Sequence, residues 1–159
     1  MPIQPLVLKF LNGRSMLNFN TNTKNNDEWL TPPDFVNIFG PFDLDPCAPV
    51  NRPWPMAKKH YTREDNGLAL PWEGCVWLNP PYGRHTFEWI ERLAEHGSGL
   101  ALIFARTETM GFHKQVWDKA YAVFFFQGRI CFHYVTGKKA VRQMLHPARW
   151  PIRKMTQKV

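Results

Sequence analysis

The sequence predicts an α/β fold built on a parallel sheet in a single domain. Three observations predict it. A strand–helix–strand–helix–strand rhythm runs from residue 74 onward, the 159 residues suit one core, and two Pro-containing motifs each fall at the carboxyl end of a predicted strand.

The elements follow in chain order. Residues 1–26 show neither helical nor alternating periodicity and turn Asn- and Thr-rich after Ser15, so they read as a flexible N-terminal arm. Met16 is a candidate start, which makes the first fifteen residues an upstream extension. Thr31-Pro32-Pro33-Asp34 signals a helix, with Thr31 as N-cap, Pro in the first turn and Phe35, Ile38 and Phe39 at helical spacing. Phe42-Asp43-Leu44-Asp45 reads as a short strand stopped by Pro46. Residues 49–73, rich in Pro, Trp and charge, read as loop with one short element near 58–61.

The run 74–78 is a compact buried strand closed by Asn79-Pro80-Pro81-Tyr82-Gly83. A helix over 85–96 places Phe87, Ile90 and Ala94 on one face, with Gly97 as C-cap. Residues 100–105 form a second buried strand and 109–119 a second amphipathic helix facing inward through Phe112, Val116 and Trp117. Residues 121–126 form a third strand, expected to pair with 130–135 through a turn at Gln127-Gly128-Arg129.

Charge and cysteine usage narrow the partners. The net charge of +7 resides wholly in the tail: residues 1–137 hold 13 basic and 13 acidic side chains, and 138–159 hold seven basic and no acidic ones. The charge is therefore a property of an atypical C-terminal tail rather than of the domain. No apolar run approaches the roughly 18 residues of a membrane span. Cys47, Cys75 and Cys131 form no C-x-x-C pair, which argues against a zinc site or disulfide framework and for small buried apolar groups. The six histidines show no metal-ligand spacing and read as structural or surface residues, so no metal is expected.

The Asn79-Pro80-Pro81-Tyr82 turn carries the sharpest chemistry. An exocyclic amine on a heteroaromatic ring is a poor nucleophile because its lone pair is delocalised. Acceptors on both of its hydrogens favour a tetrahedral nitrogen and stabilise the charge that develops as it attacks. The Asn79 side-chain oxygen and the Pro80 carbonyl supply two acceptors. Pro81 has no N–H, and the two rings keep the backbone aimed. Tyr82 offers a flat face for a base, which must leave a duplex to reach it.

Six segments, in order, resemble a known family. They are Glu28-Trp29-Leu30-Thr31-Pro32-Pro33; Phe42-Asp43-Leu44-Asp45-Pro46-Cys47-Ala48; Tyr61-Thr62-Arg63-Glu64-Asp65-Asn66-Gly67-Leu68 with Trp72; Asn79-Pro80-Pro81-Tyr82-Gly83; Phe104-Ala105-Arg106-Thr107; and Gly128-Arg129-Ile130-Cys131-Phe132. Together they resemble the phage-encoded, Dam-like DNA N6-adenine methyltransferases. The resemblance implies a methyltransferase domain over 27–137 with a trimmed Rossmann-like, S-adenosylmethionine-dependent fold, between the arm at 1–26 and the tail at 138–159.

It also implies transfer of a methyl group from S-adenosylmethionine to adenine N6 in DNA, in the cytoplasm of a bacterial host. Asn79, Pro80, Pro81 and Tyr82 take the catalytic positions. Thr31 and Pro32 match the segment lining the methionine end of the cofactor. Asp45 and Pro46 match the strand-end motif facing it, and Asp65 is a further candidate for cofactor or base. Asp43 alternates with Asp45, so one of the two is expected to face the site.

Arg106 and Arg129 follow predicted strands and are candidates for DNA phosphates or for ordinary surface ion pairs. Trp54 and Trp72 are the tryptophans expected to line the site. Three departures from the family pattern stand out. Ala48-Pro49-Val50-Asn51 replaces the usual glycine-rich turn, and only 29 residues (46–74) separate the first strand from the catalytic one, too few for two full strand–helix units of about 30 residues each. The usual acidic ribose ligand therefore has no direct equivalent expected. Residues 140–152 lack the family's final small-residue stretch, which a reading frame shifted by two nucleotides over 140–151 restores; coding DNA whose codons forbid that frame refutes the idea. The same tetrapeptide chemistry serves cytosine N4, guanine N2 in RNA and glutamine amides, and a non-catalytic nucleic-acid-binding module or a decayed prophage product are the other readings.

Overall fold

The computed structural model describes residues 28–126 and 130–139, together with the backbone of 7–11 and 153–155. Seven strands form one sheet: β1 (Val7–Leu11), β2 (Leu44–Asp45), β3 (Lys59–His60), β4 (Val76–Leu78), β5 (Gly99–Phe104), β6 (Ala122–Phe126) and β7 (Arg153–Met155). Their spatial order is β3-β2-β4-β5-β1-β6-β7. All neighbours are parallel except β6 and β7.

Among the described residues three helices accompany the sheet: α1 (Asp34–Phe39), α2 (Thr86–His96) and α3 (Met110–Phe112), which continues as a π-helical turn over His113–Trp117. Side chains alternate across the strands, and both faces are covered. Val76, Leu78, Ala101 and Ile103 point to the face where Ile90 and Leu93 of α2 and Phe112 pack. Trp77, Leu100 and Leu102 point to the opposite face, against Phe35 of α1, Phe42 and Met56. Burial on both sides explains why β4 and β5 read as unbroken apolar runs rather than alternating ones.

α2 has the bounds its periodicity implies, and Gly97 ends it at φ 78°, a left-handed cap whose N–H bonds to the Leu93 carbonyl. Elsewhere the structure corrects the sequence. Thr31 does not cap α1: the helix begins at Asp34 with Pro33 in the capping position, and the Thr31 hydroxyl has no hydrogen-bond partner among the described residues. Residues 130–135 form no hairpin with β6. His133 instead bridges antiparallel to Leu30, with N–H to carbonyl distances of 2.8 and 2.9 Å, so this segment braces the chain beside Thr31.

The arm expected over 1–26 is not all arm, because Val7–Leu11 runs as β1 between β5 and β6. A short apolar run without alternation is the pattern of an internal parallel strand, which a test for periodicity passes over. Arg153–Met155 of the basic tail pairs with β6. The shifted-frame segment at 140–151 and Met16 lie outside the described residues. Among the described residues no helix is long and apolar enough to cross a membrane.

The two-faced core predicts a sharp contrast along α2. Ile90→Ala, at a fully buried position, should cost about 2–5 kcal/mol. Glu95→Ala, on the exposed face of the same helix, should stay within about 0.5 kcal/mol of the parent in urea unfolding.

Candidate active site

β2 is flanked by β3 on one side and β4 on the other. The chain therefore leaves β2 outward to β3 and then crosses back to β4, which makes β2 and β4 the point where strand order reverses. Crevices at such points, beyond the carboxyl ends of the strands, are where open parallel sheets bind ligands. A cleft of about 820 Å³ lies there, a volume within the range of small-molecule sites. Most of its wall comes from four segments: 28–31 before α1, 45–49 after β2, Thr62, Arg63, Asn66 and Gly67 after β3, and 79–82 after β4.

A line of hydrogen bonds joins the second and fourth walls. Asp45 ends β2 almost wholly buried and accepts from the Cys47 N–H at 3.2 Å. The Cys47 thiol donates to the Asn79 carbonyl at 3.2 Å. The Tyr82 hydroxyl donates to Asn79 Oδ1 at 3.1 Å, and its ring leans on Phe104 with centroids 4.2 Å apart. Thr86, at the start of α2, donates to the Pro81 carbonyl at 2.8 Å and accepts from the Gly83 N–H at 2.9 Å. Two of the three successive carbonyls of the turn are thus occupied. The third, of buried Pro80, meets no donor among the described residues.

Burial sets the protonation of these groups. Desolvation pushes the Asp45 carboxyl up to about 7, against the opposing pull of the Cys47 N–H and of Arg52. The same effect, with the charge of Asp45 added, holds the Cys47 thiol far above its ordinary range, so it stays a donor. Desolvation also raises the Tyr82 hydroxyl, which stays protonated. Tyr82 as a whole is 37 % exposed, with its hydroxyl bonded to Asn79.

A family model described as DNA N-6-adenine-methyltransferase (Dam) matches residues 18–150. The chain belongs to this Dam family. No curated protein and no solved structure matches it. The family acts on adenine N6 in DNA, which makes the chain a member of an enzyme family whose substrate is DNA. The match begins within the arm and runs through residue 150, beyond both ends of the 27–137 stretch expected from the sequence.

In this Dam-family chain most of the expected residues converge on the cleft. Thr31, Asp45, Pro46, Asn79, Pro80, Pro81 and Tyr82 all line it. Asp43 faces away, paired with Lys58 at 2.8 Å and accepting from the Cys75 N–H, so Asp45 is the strand acid in the cleft. Pro32 sits just outside the wall, its carbonyl accepting from Phe35 N–H. Asp65 does not line the cleft: its carboxylate is taken by the Thr62 N–H at 2.8 Å and the Thr62 hydroxyl at 2.9 Å.

Arg106 is exposed beyond β5 and outside the wall, and Arg129 lies outside the described residues. Trp54 and Trp72 do not line the cleft either. They support its walls, Trp54 donating to the Thr31 carbonyl at 3.0 Å and Trp72 to the Gly67 carbonyl at 2.8 Å. The tryptophans that do line it are Trp29, Trp77 and Trp89. Sequence reasoning also missed Asn66, the Glu28–Arg63 pair at 3.9 Å and the hydrogen-bonding part played by Cys47. The position of Cys47 one turn beyond a strand-end acid was the available signal.

Asp45 should leave a mark on stability. The folded chain keeps its proton up to about pH 7, whereas the unfolded chain loses it near pH 4, so stability falls as pH rises through that window. Urea unfolding at about pH 5 and about pH 8 should show a larger loss for the parent than for Asp45→Asn. Equal losses would rule Asp45 out as the source.

Proposed function

We propose that the chain transfers a methyl group from S-adenosylmethionine to N6 of a flipped-out adenine in DNA, on a Rossmann-like methyltransferase fold. The observation that carries this reading is the pair of acceptors at the end of β4. The Pro80 carbonyl is without a donor among the described residues, and Asn79 Oδ1, with two lone pairs, has accepted one bond from Tyr82 and retains room for a second. Two neutral oxygens held a residue apart suit the two hydrogens of an aromatic amine.

The cleft fits the cofactor class. It joins a buried strand-end carboxyl, an unpartnered Thr31 hydroxyl and several aromatic faces in one volume. Asp45 and Thr31 would hold the polar end, and Trp29 and Trp89 are available to apolar parts. The bound cofactor supplies an electrophilic methyl group. The protein's own part is to aim the amine. Asn79 and Pro80 accept its hydrogens and stabilise the positive charge on nitrogen. Cys47 and Thr86 fix the flanking peptide planes, and Tyr82 presents its exposed ring for stacking on the base. Exposed Arg84 and Arg106, past β4 and β5, are our candidates for contacts to phosphates.

Transfer of tritiated methyl to unmethylated DNA tests the proposal. The parent should label N6 of adenine, and Asn79→Ala, with an unchanged circular dichroism spectrum, should lose about a hundredfold or more. Labelling of cytosine, of RNA or of a glutamine peptide in place of adenine would redirect the reading to another amine. Equal labelling by parent and variant would overturn the assigned chemistry.

A further inference from the structure

The carboxyl end of β3 raises a specific question. In doubly wound nucleotide-binding sheets an acid about 20 residues past the first turn holds the ribose hydroxyls. Asn66 follows Asp45 by 21 residues and lines the cleft. The acids beside it do not serve: Asp65 is committed to Thr62, and Glu64 is outside the wall. The acids that do line the cleft stand elsewhere, Asp45 at the end of β2 and Glu28 ahead of α1, the latter paired with Arg63.

The turn bearing Asn66 is built rather than incidental. Asn66 has φ 53°, a left-handed conformation that Asn tolerates better than most residues. Its own carbonyl accepts from the Ala69 N–H at 2.9 Å. Asp65 ties the near side of the turn to Thr62, and Trp72 ties the far side through the Gly67 carbonyl. Gly67 lies so close to the Pro46 carbonyl that a Cβ there would collide with it. Backbone bonds from Tyr61 N–H to the Asp45 carbonyl and from Ala48 N–H to the Tyr61 carbonyl lock the segment to the β2 wall, each 2.9 Å long. Exposed Asn66 is therefore carried on a firmly tied turn at the cleft that Asp45 also lines.

Resting on the cofactor reading above, we propose that Asn66 binds the ribose cis-diol of the adenosyl cofactor, its amide oxygen accepting from one hydroxyl and its amide N–H donating to the other. A neutral amide thereby replaces the missing acid. The assignment also answers a selectivity problem peculiar to this reaction. Cofactor and target are both adenine nucleosides, and the target, being DNA, lacks the 2′-hydroxyl. A diol-reading group at one end of the cleft reserves that end for the cofactor.

Calorimetric titration with S-adenosylhomocysteine and its 2′-deoxy analogue tests this, on the parent, Asn66→Gly and Asn66→Asp. Glycine keeps the left-handed turn while removing the amide, and aspartate keeps an acceptor. The parent should prefer the ribose ligand about tenfold, Asn66→Gly should bind both ligands alike at the weaker level, and Asn66→Asp should retain the preference. Undiminished discrimination in Asn66→Gly, or equal weakening of both ligands with the ratio preserved, would overturn the assignment. A parent that binds S-adenosylhomocysteine without discrimination sinks the Asn66 proposal alone. A folded parent that binds neither ligand sinks the cofactor reading and this proposal with it.

Discussion

The contact on which the cleft depends is the bond from the Cys47 thiol to the Asn79 carbonyl. β2 and β4 are two and three residues long, and one register pair, Leu44 with Val76, joins them in the ladder. Strands so short do not hold the loops beyond them at a fixed distance. The thiol does so, because burial keeps it protonated and its own backbone is held by Asp45. A modest hydrogen bond of about 1 kcal/mol has large geometric leverage here. By fixing the peptide after Asn79 it restricts where the next carbonyl, of Pro80, can point.

Aiming is completed by exclusion. Cys47 and Thr86 take the carbonyls on either side of Pro80, and proline nitrogens remove two donors that would otherwise fold back on the turn. The open acceptor at Pro80 is thus a consequence of its neighbours being satisfied. The same economy appears at Tyr82, whose hydroxyl selects which amide atom of Asn79 faces it and leaves the second lone pair of that oxygen unspent. Neither role is a proton transfer, so none of these groups needs to titrate. The titrating group is Asp45, a wall away, where burial rather than chemistry shifts it.

Much of this was legible in the sequence because it is written in local patterns. The apolar runs of β4 and β5, the amphipathic face and glycine cap of α2, and the Asn79–Tyr82 turn each depend on a few consecutive residues. Most of what failed depended on distant partners. Thr31 has the residue type of a cap, but its neighbour Leu30 is held by His133, a pairing invisible to local reading, and the helix starts three residues later. Asp65 has the look of a ligand, yet the N–H and hydroxyl of Thr62 hold one of its oxygens in a local turn, and the residue beside it lines the cleft instead. Trp54 and Trp72 were expected to line the cleft, but they stand behind it, their indole N–H groups donating to the backbone of its walls. Composition says that a tryptophan is near a site; only geometry says which side of the wall it occupies.

The helix-free connection between β2 and β3 makes these long-range ties necessary. With thirteen residues of loop in place of a crossover helix between β2 and β3, the 62–67 turn cannot be positioned by helix packing. It is positioned by contact instead: Gly67 against the Pro46 carbonyl, Trp72 beneath, and β3 paired through Tyr61 to the end of β2. A glycine-rich turn in a longer nucleotide-binding fold lets the backbone approach the ligand. Here the close approach is between two walls of the cleft, at Gly67, and the backbone at Ala48 is left to the bond with Tyr61. The close-approach glycine stands at the joint that holds the wall, because without a crossover helix the wall is what would otherwise drift.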